Sequence, residues 1–314
     1  MQLHGIHHVT AVTARAAENH RFYTQVLGTR LVKKTVNQDD VSAYHLFYAD
    51  GAGTPGSDLT FFDWPAPPEQ RGTRSVIRTG LRVDSPATLD WWRERLAKHA
   101  VTTEEPTIRD GRAVLDFEDP EGQRLSLVVD GETGGDQHPW EQSAVPPEHQ
   151  IRGLGPLMLS VPQAGRTDRV LREVLNLQPV RTYELAARPV QVYQIGPQPG
   201  PGRELHLVAE AGSPSARPGA GGVHHLALRT TLADYEAWGA RLTELGIPNS
   251  GPVDRFWFRS LYFREPGGIL FEIATDEPGF TADEPAATLG QSLSLPPFLE
   301  PRRREIEEGL TPIL

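Results

Sequence analysis

Two histidine doublets lie at matching positions near the two ends of this 314-residue chain. His7-His8 lies in Gly-Ile-His-His-Val-Thr-Ala-Val, and His224-His225 lies in Gly-Val-His-His-Leu-Ala-Leu-Arg. Each doublet opens a short apolar run. A helix pattern follows and ends in Leu-Gly, with the glycine 20 residues after the second histidine in one copy and 21 in the other. Repetition of so many features indicates a duplicated unit, and such a unit can bring two imidazole ligands to one metal ion.

A carboxylate in the last apolar run completes a candidate ligand set. Glu272 follows Gly267-Gly268-Ile269-Leu270-Phe271, and a carboxylate buried in such a strand needs a partner, which a metal would supply. Two imidazoles and one carboxylate are the facial ligands of non-haem Fe(II) oxygenases. Neighbouring side chains of a strand point to opposite faces, so only one histidine of each doublet can be a direct ligand. We predict a single metal site formed by His8, His225 and Glu272.

The spacing of apolar residues and the turn residues between the apolar segments predict four copies of one unit. Each unit consists of a strand, a helix and further strands. In the repeat alignment Ser126 takes the place of Glu272 in the second unit, and Pro156 takes the place of His225 in the third. The ligands therefore come from the first and fourth units, which must share one sheet around the ion. The second and third units are expected to form a companion cavity without ligands.

The predicted organisation has two halves and a tail. The loose stretch between the halves is rich in Gly, Pro, Gln and Glu, and the tail is rich in Pro. The predicted segments are an N-terminal domain (1–130, modules 1 and 2), a linker (131–152), a C-terminal domain (153–276, modules 3 and 4) and a C-terminal arm (277–314).

Composition narrows the classes of function. The formal charge is −10, from 31 basic and 41 acidic residues. The sequence has no stripe of basic residues, so we do not expect nucleic acid as a partner. No apolar run approaches the roughly 20 residues that a membrane span needs. Cysteine is absent, which excludes disulfides and thiolate sites, so we expect a cytoplasmic protein. The remaining ligand types suit Fe(II), Mn(II), Ni(II) or Zn(II).

Several motifs together resemble the vicinal oxygen chelate superfamily, and within it the branch of ring-cleaving hydroquinone dioxygenases. The likeness covers nearly the whole chain. It implies an α+β fold in which four βαβββ modules pair into two curved mixed β-sheet domains. It also implies Fe(II), dioxygen and a small hydroquinone- or catechol-type aromatic diol. The motifs are His7-His8-Val9-Thr10, Phe22-Tyr23 with Leu27-Gly28, His224-His225-Leu226, Gly267 to Glu272, and the tail from Leu295 to Arg302.

The same resemblance implies further active-site residues. In the hydroquinone branch an arginine lies 17 positions and a tyrosine 10 positions before the ligand glutamate, and Arg255 and Tyr262 stand there in this chain. His7, His224 and Thr10 match residues that line the pocket of that family. Six further histidines fit no motif and are expected to be structural or exposed: His20, His45, His99, His138, His149 and His206.

Two other functions stay open at this point. A glyoxalase-type isomerase or lyase usually has a fourth protein ligand, a glutamate from a second unit, and no such residue is found here. A non-catalytic member that binds small molecules generally lacks metal ligands, whereas all three are present. The sequence does not determine the ring substituents or the cleavage position, and it allows a homo-oligomer without indicating one.

Overall fold

The repeated apolar runs form two β-sheets of eight strands each within residues 1–131 and 137–313, which the computed structural model describes. The first half contributes β1 (Ile6–Thr13), β2 (Arg30–Asn37), β3 (Asp40–Ala49), β4 (Asp58–Asp63), β5 (Ser75–Val83), β6 (Thr107–Arg109), β7 (Arg112–Glu118) and β8 (Arg124–Val129). The second half contributes β9 (Leu154–Val161), β10 (Gln178–Leu185), β11 (Arg188–Gln194), β12 (Glu204–Ala209), β13 (Val223–Thr230), β14 (Val253–Asp254), β15 (Arg259–Arg264) and β16 (Leu270–Thr275).

The strand order confirms the predicted pairing of modules. One curved sheet runs β14-β15-β16-β13-β1-β4-β3-β2, so it joins the fourth module to the first. The other runs β10-β11-β12-β9-β5-β8-β7-β6 and joins the third module to the second. The α+β prediction of paired βαβββ modules is therefore correct. Each sheet takes strands from both sides of the linker predicted at 131–152, of which 132–136 lie outside the described residues.

Short helices connect the first and second strands of each module. α2 (Pro86–Lys98) and α4 (Leu232–Glu244) are regular, whereas α1 (Ala16–Arg21) and α3 (Ala164–Arg169) continue as π-helical turns. The apolar faces of the helices bury large side chains, among them Phe22 in the π-helical turn after α1, Trp92 in α2 and Trp238 in α4. This burial holds each helix to its sheet through the hydrophobic effect. None of the described helices is long and apolar enough to cross a membrane.

The predicted C-terminal arm lies along the first sheet. A short helix, α5 (Arg303–Gly309), lies near its end, and residue 314 is outside the described part. Lys34 of β2 forms an isolated parallel bridge with Leu293, and the Arg30 guanidinium donates to the carbonyl of Ala286 over 2.8 Å. The arm therefore covers the edge strand of the sheet that carries the candidate ligands, which shields the unpaired backbone groups of that edge.

Candidate metal centre

Three adjacent strands in the middle of the first sheet bring the predicted ligands together. β1 pairs antiparallel with β13, and Thr10 lies opposite His225. β13 pairs parallel with β16, and Ala227 lies opposite Glu272. Because side chains two residues apart share a strand face, His8, His225 and Glu272 project from neighbouring strands toward one point. The pairing of distant modules thus builds the site.

The ligand atoms converge in a buried position. The Glu272 Oε2 atom lies 3.1 Å from the Nε2 atom of His8 and 3.0 Å from the Nε2 atom of His225. All three side chains are at most 4% exposed. The Oε1 atom of Glu272 accepts a hydrogen bond from the hydroxyl of Ser260, which leaves Oε2 facing the two imidazoles. The sequence prediction that these three residues meet therefore agrees with the geometry.

The hydrogen bonds of His7 indicate which nitrogen of His8 is available to a metal. His7 Nε2 lies 3.1 Å from the carbonyl oxygen of Thr275, which can only accept, so Nε2 carries a proton. Burial and the neighbouring His8 hold the pKa of His7 at about 3, so its ring is neutral and its Nδ1 is an acceptor. The Nδ1 atom of His8, 2.9 Å away, must then donate. This tautomer leaves a lone pair on His8 Nε2, directed at the carboxylate.

The donor set fits a divalent cation. Two acceptors, a bare imidazole nitrogen and a carboxylate oxygen, face one another in a buried site, and they need positive charge between them. Burial opposes ionisation of Glu272, but the nearby imidazoles of His8 and His225 outweigh it and hold its pKa well below the usual range. A metal ion at this point would bind the imidazole Nε2 lone pairs and satisfy Oε2, which has no conventional hydrogen bond among the described residues.

The first histidine of each doublet supports the second. His224 Nδ1 lies 2.8 Å from His225 Nδ1, which repeats the contact between His7 and His8. The register of β1 with β13 slips at both places, between Ile6 and His8 and between Thr10 and Ala11, so His7 and His224 are left as unpaired, bulged residues. Bulges redirect side chains beside functional sites. Here they let two neighbouring rings contact each other, and neither His7 nor His224 lines the cavity.

A small cavity opens in front of the ligand atoms. Its walls are largely aromatic, and the Phe258 ring centroid lies 5.5 Å from that of His8. The other aromatic side chains of the wall are Phe47, Phe62, Trp257 and Tyr262. Such walls suit a flat ring whose polar groups point at the cation.

Arg255 and Tyr262 both line this cavity, as the sequence predicts. The Tyr262 ring centroid lies 5.6 Å from that of His225, and the Arg255 guanidinium carbon lies 5.5 Å from the centre of the Tyr262 ring. Burial and the carboxylate of Glu272 raise the pKa of Tyr262 above its ordinary value, so its hydroxyl stays protonated. Arg255 is anchored by Asp39, 2.8 Å away. The pair presents a phenol O–H and a guanidinium near the ligands.

Thr10 does not line the cavity, but it leads to a residue that the sequence analysis missed. Its hydroxyl lies 2.8 Å from that of Thr60, and the Nε2 atom of His45 lies 3.0 Å from the same Thr60 oxygen. His45 faces the cavity and packs against Phe47, with the two tilted rings 4.0 Å apart between centroids. Burial, together with the imidazoles of His8 and His225, holds the pKa of His45 well below its ordinary range. His45 was expected to be structural or exposed, but it lines the cavity next to the candidate ligands.

Comparison with known proteins places this geometry in a family. The family model of the Glyoxalase/Bleomycin resistance protein/Dioxygenase superfamily matches residues 5–127 and 153–273, which are the four modules. The chain belongs to this superfamily. The resemblance on which the sequence analysis relied is therefore confirmed.

Full-length relatives narrow the comparison. The chain is 45% identical over 315 residues to MhqA of Bacillus subtilis strain 168, named as a proposed ring-cleaving dioxygenase, with 100% of both chains covered. It is 31% identical to a chlorohydroquinone/hydroquinone 1,2-dioxygenase of Sphingobium indicum, over 97% of this chain and 95% of that one. A crystal structure of a proposed dioxygenase from Bacillus subtilis superposes with a TM-score of 0.91 at 36% identity, covering 99% of this chain and 97% of that chain.

Proposed function

We propose that this chain is a ring-cleaving dioxygenase that uses Fe(II) and acts on a hydroquinone- or catechol-type aromatic diol. The reaction opens the ring beside a hydroxyl-bearing carbon and places both oxygen atoms of O2 in the product. One observation carries the proposal: a buried two-histidine, one-carboxylate set at the head of an aromatic-walled cavity. The similarity over the full length to a chlorohydroquinone/hydroquinone 1,2-dioxygenase supports it.

His8, His225 and Glu272 would hold the metal. A divalent ion with two neutral imidazoles and one carboxylate keeps one net positive charge, which a singly deprotonated diol would balance. When bound, Fe(II) supplies Lewis acidity and the electron path between the ring and O2. Three protein ligands leave coordination positions open, so both reactants can be held side by side. Mn(II), Ni(II) or Zn(II) would fit the same donors.

The other polar groups of the cavity act on the substrate. His45 is neutral and its ring faces the cavity, so it is placed to take a proton from a substrate hydroxyl. The O–H of Tyr262 can donate to a substrate oxygen, and the guanidinium of Arg255 can stabilise negative charge there. The aromatic walls position the ring and exclude water.

His7 and His224 orient the ligands in this scheme. Each would accept from the Nδ1–H of the next histidine, 2.9 and 2.8 Å away, and so present that histidine's Nε2 atom to the metal. Partners of this kind fix ring orientation and ligand basicity, and their loss typically costs about 10–100-fold in metal affinity or activity. Thr10 holds Thr60, which in turn fixes the ring of His45.

The direct test is oxygen uptake by metal-free protein reloaded anaerobically with Fe(II). Hydroquinone, catechol and the hemithioacetal of methylglyoxal and a thiol are offered in turn, and O2 consumption is followed beside product absorbance. We expect O2 uptake in equal amount to the ring consumed with one of the diols, and none in Glu272→Gln.

The third substrate separates the alternatives. Rapid isomerisation of the hemithioacetal without O2 uptake would replace the proposal with a glyoxalase-type activity. Saturable binding of a diol with turnover of none of the three substrates would assign a binding protein instead.

A further inference from the structure

The second sheet contains a counterpart of the metal cavity. Its four central strands, in the order β8-β5-β9-β12, correspond one by one to the strands β16-β13-β1-β4 of the first sheet. In the parallel pair β5 and β8, Gly80 lies opposite Ser126, as Ala227 lies opposite Glu272 in the first sheet. Ser126 therefore stands where the carboxylate ligand stands, as the sequence repeat predicts.

The two histidine ligands also have counterparts. Arg78 precedes Gly80 by two residues, as His225 precedes Ala227, so a guanidinium replaces one imidazole. In the parallel pair β9 and β12 the corresponding position, two residues before the strand partner of His206, is Pro156. The prediction of a companion cavity without the first site's ligands agrees with this register. The ion's place is taken by a fixed side-chain cation.

One group in this cavity has the composition of a metal site but is already neutralised. Carboxylate and imidazole atoms of Asp110, Glu204 and His206 lie within 4.8 Å of one another. Arg181 lies between the two carboxylates, with Nε 2.8 Å from Asp110 and Nη2 2.8 Å from Glu204. Arg112 adds a two-pronged contact to Glu204, at 2.7 and 2.9 Å. Guanidinium groups therefore occupy the positions that a metal cation would need.

The contacting charged side chains of this cavity carry an excess of positive charge. Burial lowers the pKa of His206, which leaves it neutral at pH 7. Four guanidinium groups then oppose three carboxylates, so one positive charge is left over. The guanidinium groups belong to Arg78, Arg109, Arg112 and Arg181, and the carboxylates to Asp110, Asp116 and Glu204.

A small cavity lies in front of these groups, and its volume is similar to that of the metal cavity. Its lining combines three arginines with apolar side chains that include Pro156 and Met158. One buried donor, the Nε–H of Arg109, has no acceptor among the described residues. Unmet donor capacity, surplus positive charge and an apolar wall are found together.

We propose that this companion cavity binds a small organic monoanion, a carboxylate carried on a flat apolar body. The arginines would receive the carboxylate, for which the planar guanidinium fork is suited, and the apolar wall would cover the ring. The binding involves no chemical step, because arginines already neutralise the carboxylates of the Asp110, Glu204 and His206 group. It is independent of the oxygenase activity proposed above.

The chain has a built-in reporter for this site. It contains only two methionines, Met1 and Met158, and Met158 lines the companion cavity. In metal-free protein labelled with ¹³C at the methionine methyl groups, benzoate should shift the Met158 signal saturably and leave the Met1 signal in place. Met158→Leu assigns the signal. Benzyl alcohol, which has the ring without the charge, should not shift Met158 saturably.

Matched variants locate the binding. Arg109→Gln removes one guanidinium and should weaken benzoate binding roughly tenfold or more. Arg78→Gln does the same from a second strand, in case one variant fails to fold. Arg255→Gln, in the metal cavity, should leave the Met158 titration unchanged. Any of three results would overturn the proposal. The Met158 signal does not shift with millimolar benzoate, benzyl alcohol binds as well as benzoate, or binding is lost only in Arg255→Gln.

Discussion

Lys33 of β2 is fully buried, and its ammonium group donates to the carboxylate of Asp283 in the C-terminal arm over 2.8 Å. The same ammonium contacts Glu284 and the carbonyl of Phe280, and it lies 5.0 Å from the centre of the Trp257 ring. Asp283 also accepts from the indole N–H of Trp257 over 2.8 Å. Because Trp257 lines the metal cavity, the arm fixes one wall of that cavity.

Asp283→Asn should therefore weaken both the fold and the cavity. The substitution removes the negative charge from a buried ammonium group, and we expect the free energy of unfolding to fall by about 1–3 kcal/mol, since Glu284 still pairs with Lys33. Metal content should stay the same, while KM for the ring substrate rises as the Trp257 wall loosens. Urea denaturation and steady-state kinetics measure the two effects.

Asp276→Asn is the matched control for this prediction. Asp276 pairs with Arg229 near the surface, and exposed pairs contribute about 0–1 kcal/mol. Equal, small losses of stability in the two variants would show that the Lys33–Asp283 contact is not what holds the arm.

Glu272→Gln should abolish metal binding without unfolding the chain. Glutamine keeps the shape and can still accept from Ser260, but it loses the charge that two neutral imidazoles cannot replace. Elemental analysis after anaerobic loading with Fe(II) should give one metal per chain in the parent and close to none in the variant. Circular dichroism and thermal unfolding report whether the fold is kept.

A second buried glutamate provides the control for that experiment. Glu204 is also buried but lies beside the companion cavity, against Arg112 and His206, so Glu204→Gln should retain full metal content. Full occupancy in Glu272→Gln would remove this residue from the ligand set, and loss of metal in both variants would indicate a general defect of folding.

The sequence was sufficient to predict the fold and the meeting of the three candidate ligands. Repeated periods of alternation define the strands, and a ligand set divided between the first and last modules requires those modules to share a sheet. Strand alternation and the alignment of the repeats depend only on the order of residues along the chain, so they can be recognised without knowing the tertiary structure.

The roles of His7 and His224 could not be predicted in the same way. Alternation places them on the face opposite the ligands, whereas two bulges between β1 and β13 bring their rings against His8 and His225. A bulge depends on the pairing of two strands more than 200 residues apart, which no local pattern records.

His45 was missed for a related reason. It shares a strand face with Phe47, which the sequence shows, but whether that face looks toward the ligands depends on how β3 and β4 join the sheet. The helices after β1 and β9 were predicted as single segments, and the structure shows π-helical turns in both.

Separation of the two halves should destroy the metal site. His8 lies in the first half, and β1 is the strand that covers the edge of β13 in the intact sheet. Residues 150–314 expressed alone keep two candidate ligands and expose that edge, so we expect weak Fe(II) binding and a tendency to associate. Anaerobic titration with Fe(II) and gel filtration measure both. Tight one-to-one binding by this half would exclude His8 as a ligand.

His45→Gln should separate proton transfer from metal binding. Glutamine can keep a hydrogen bond to Thr60 but cannot take up a proton, so we expect kcat to fall by about 10²–10⁴-fold, the usual contribution of a general base. Metal content and the dissociation constant of the diol should change little, because His45 lies outside the ligand set. His20→Gln, at a histidine outside the cavity lining, is the matched control and should retain the parent kcat. An unchanged kcat in His45→Gln would leave His45 as part of the cavity wall alone, and loss of metal would instead make it a support of His8 or His225.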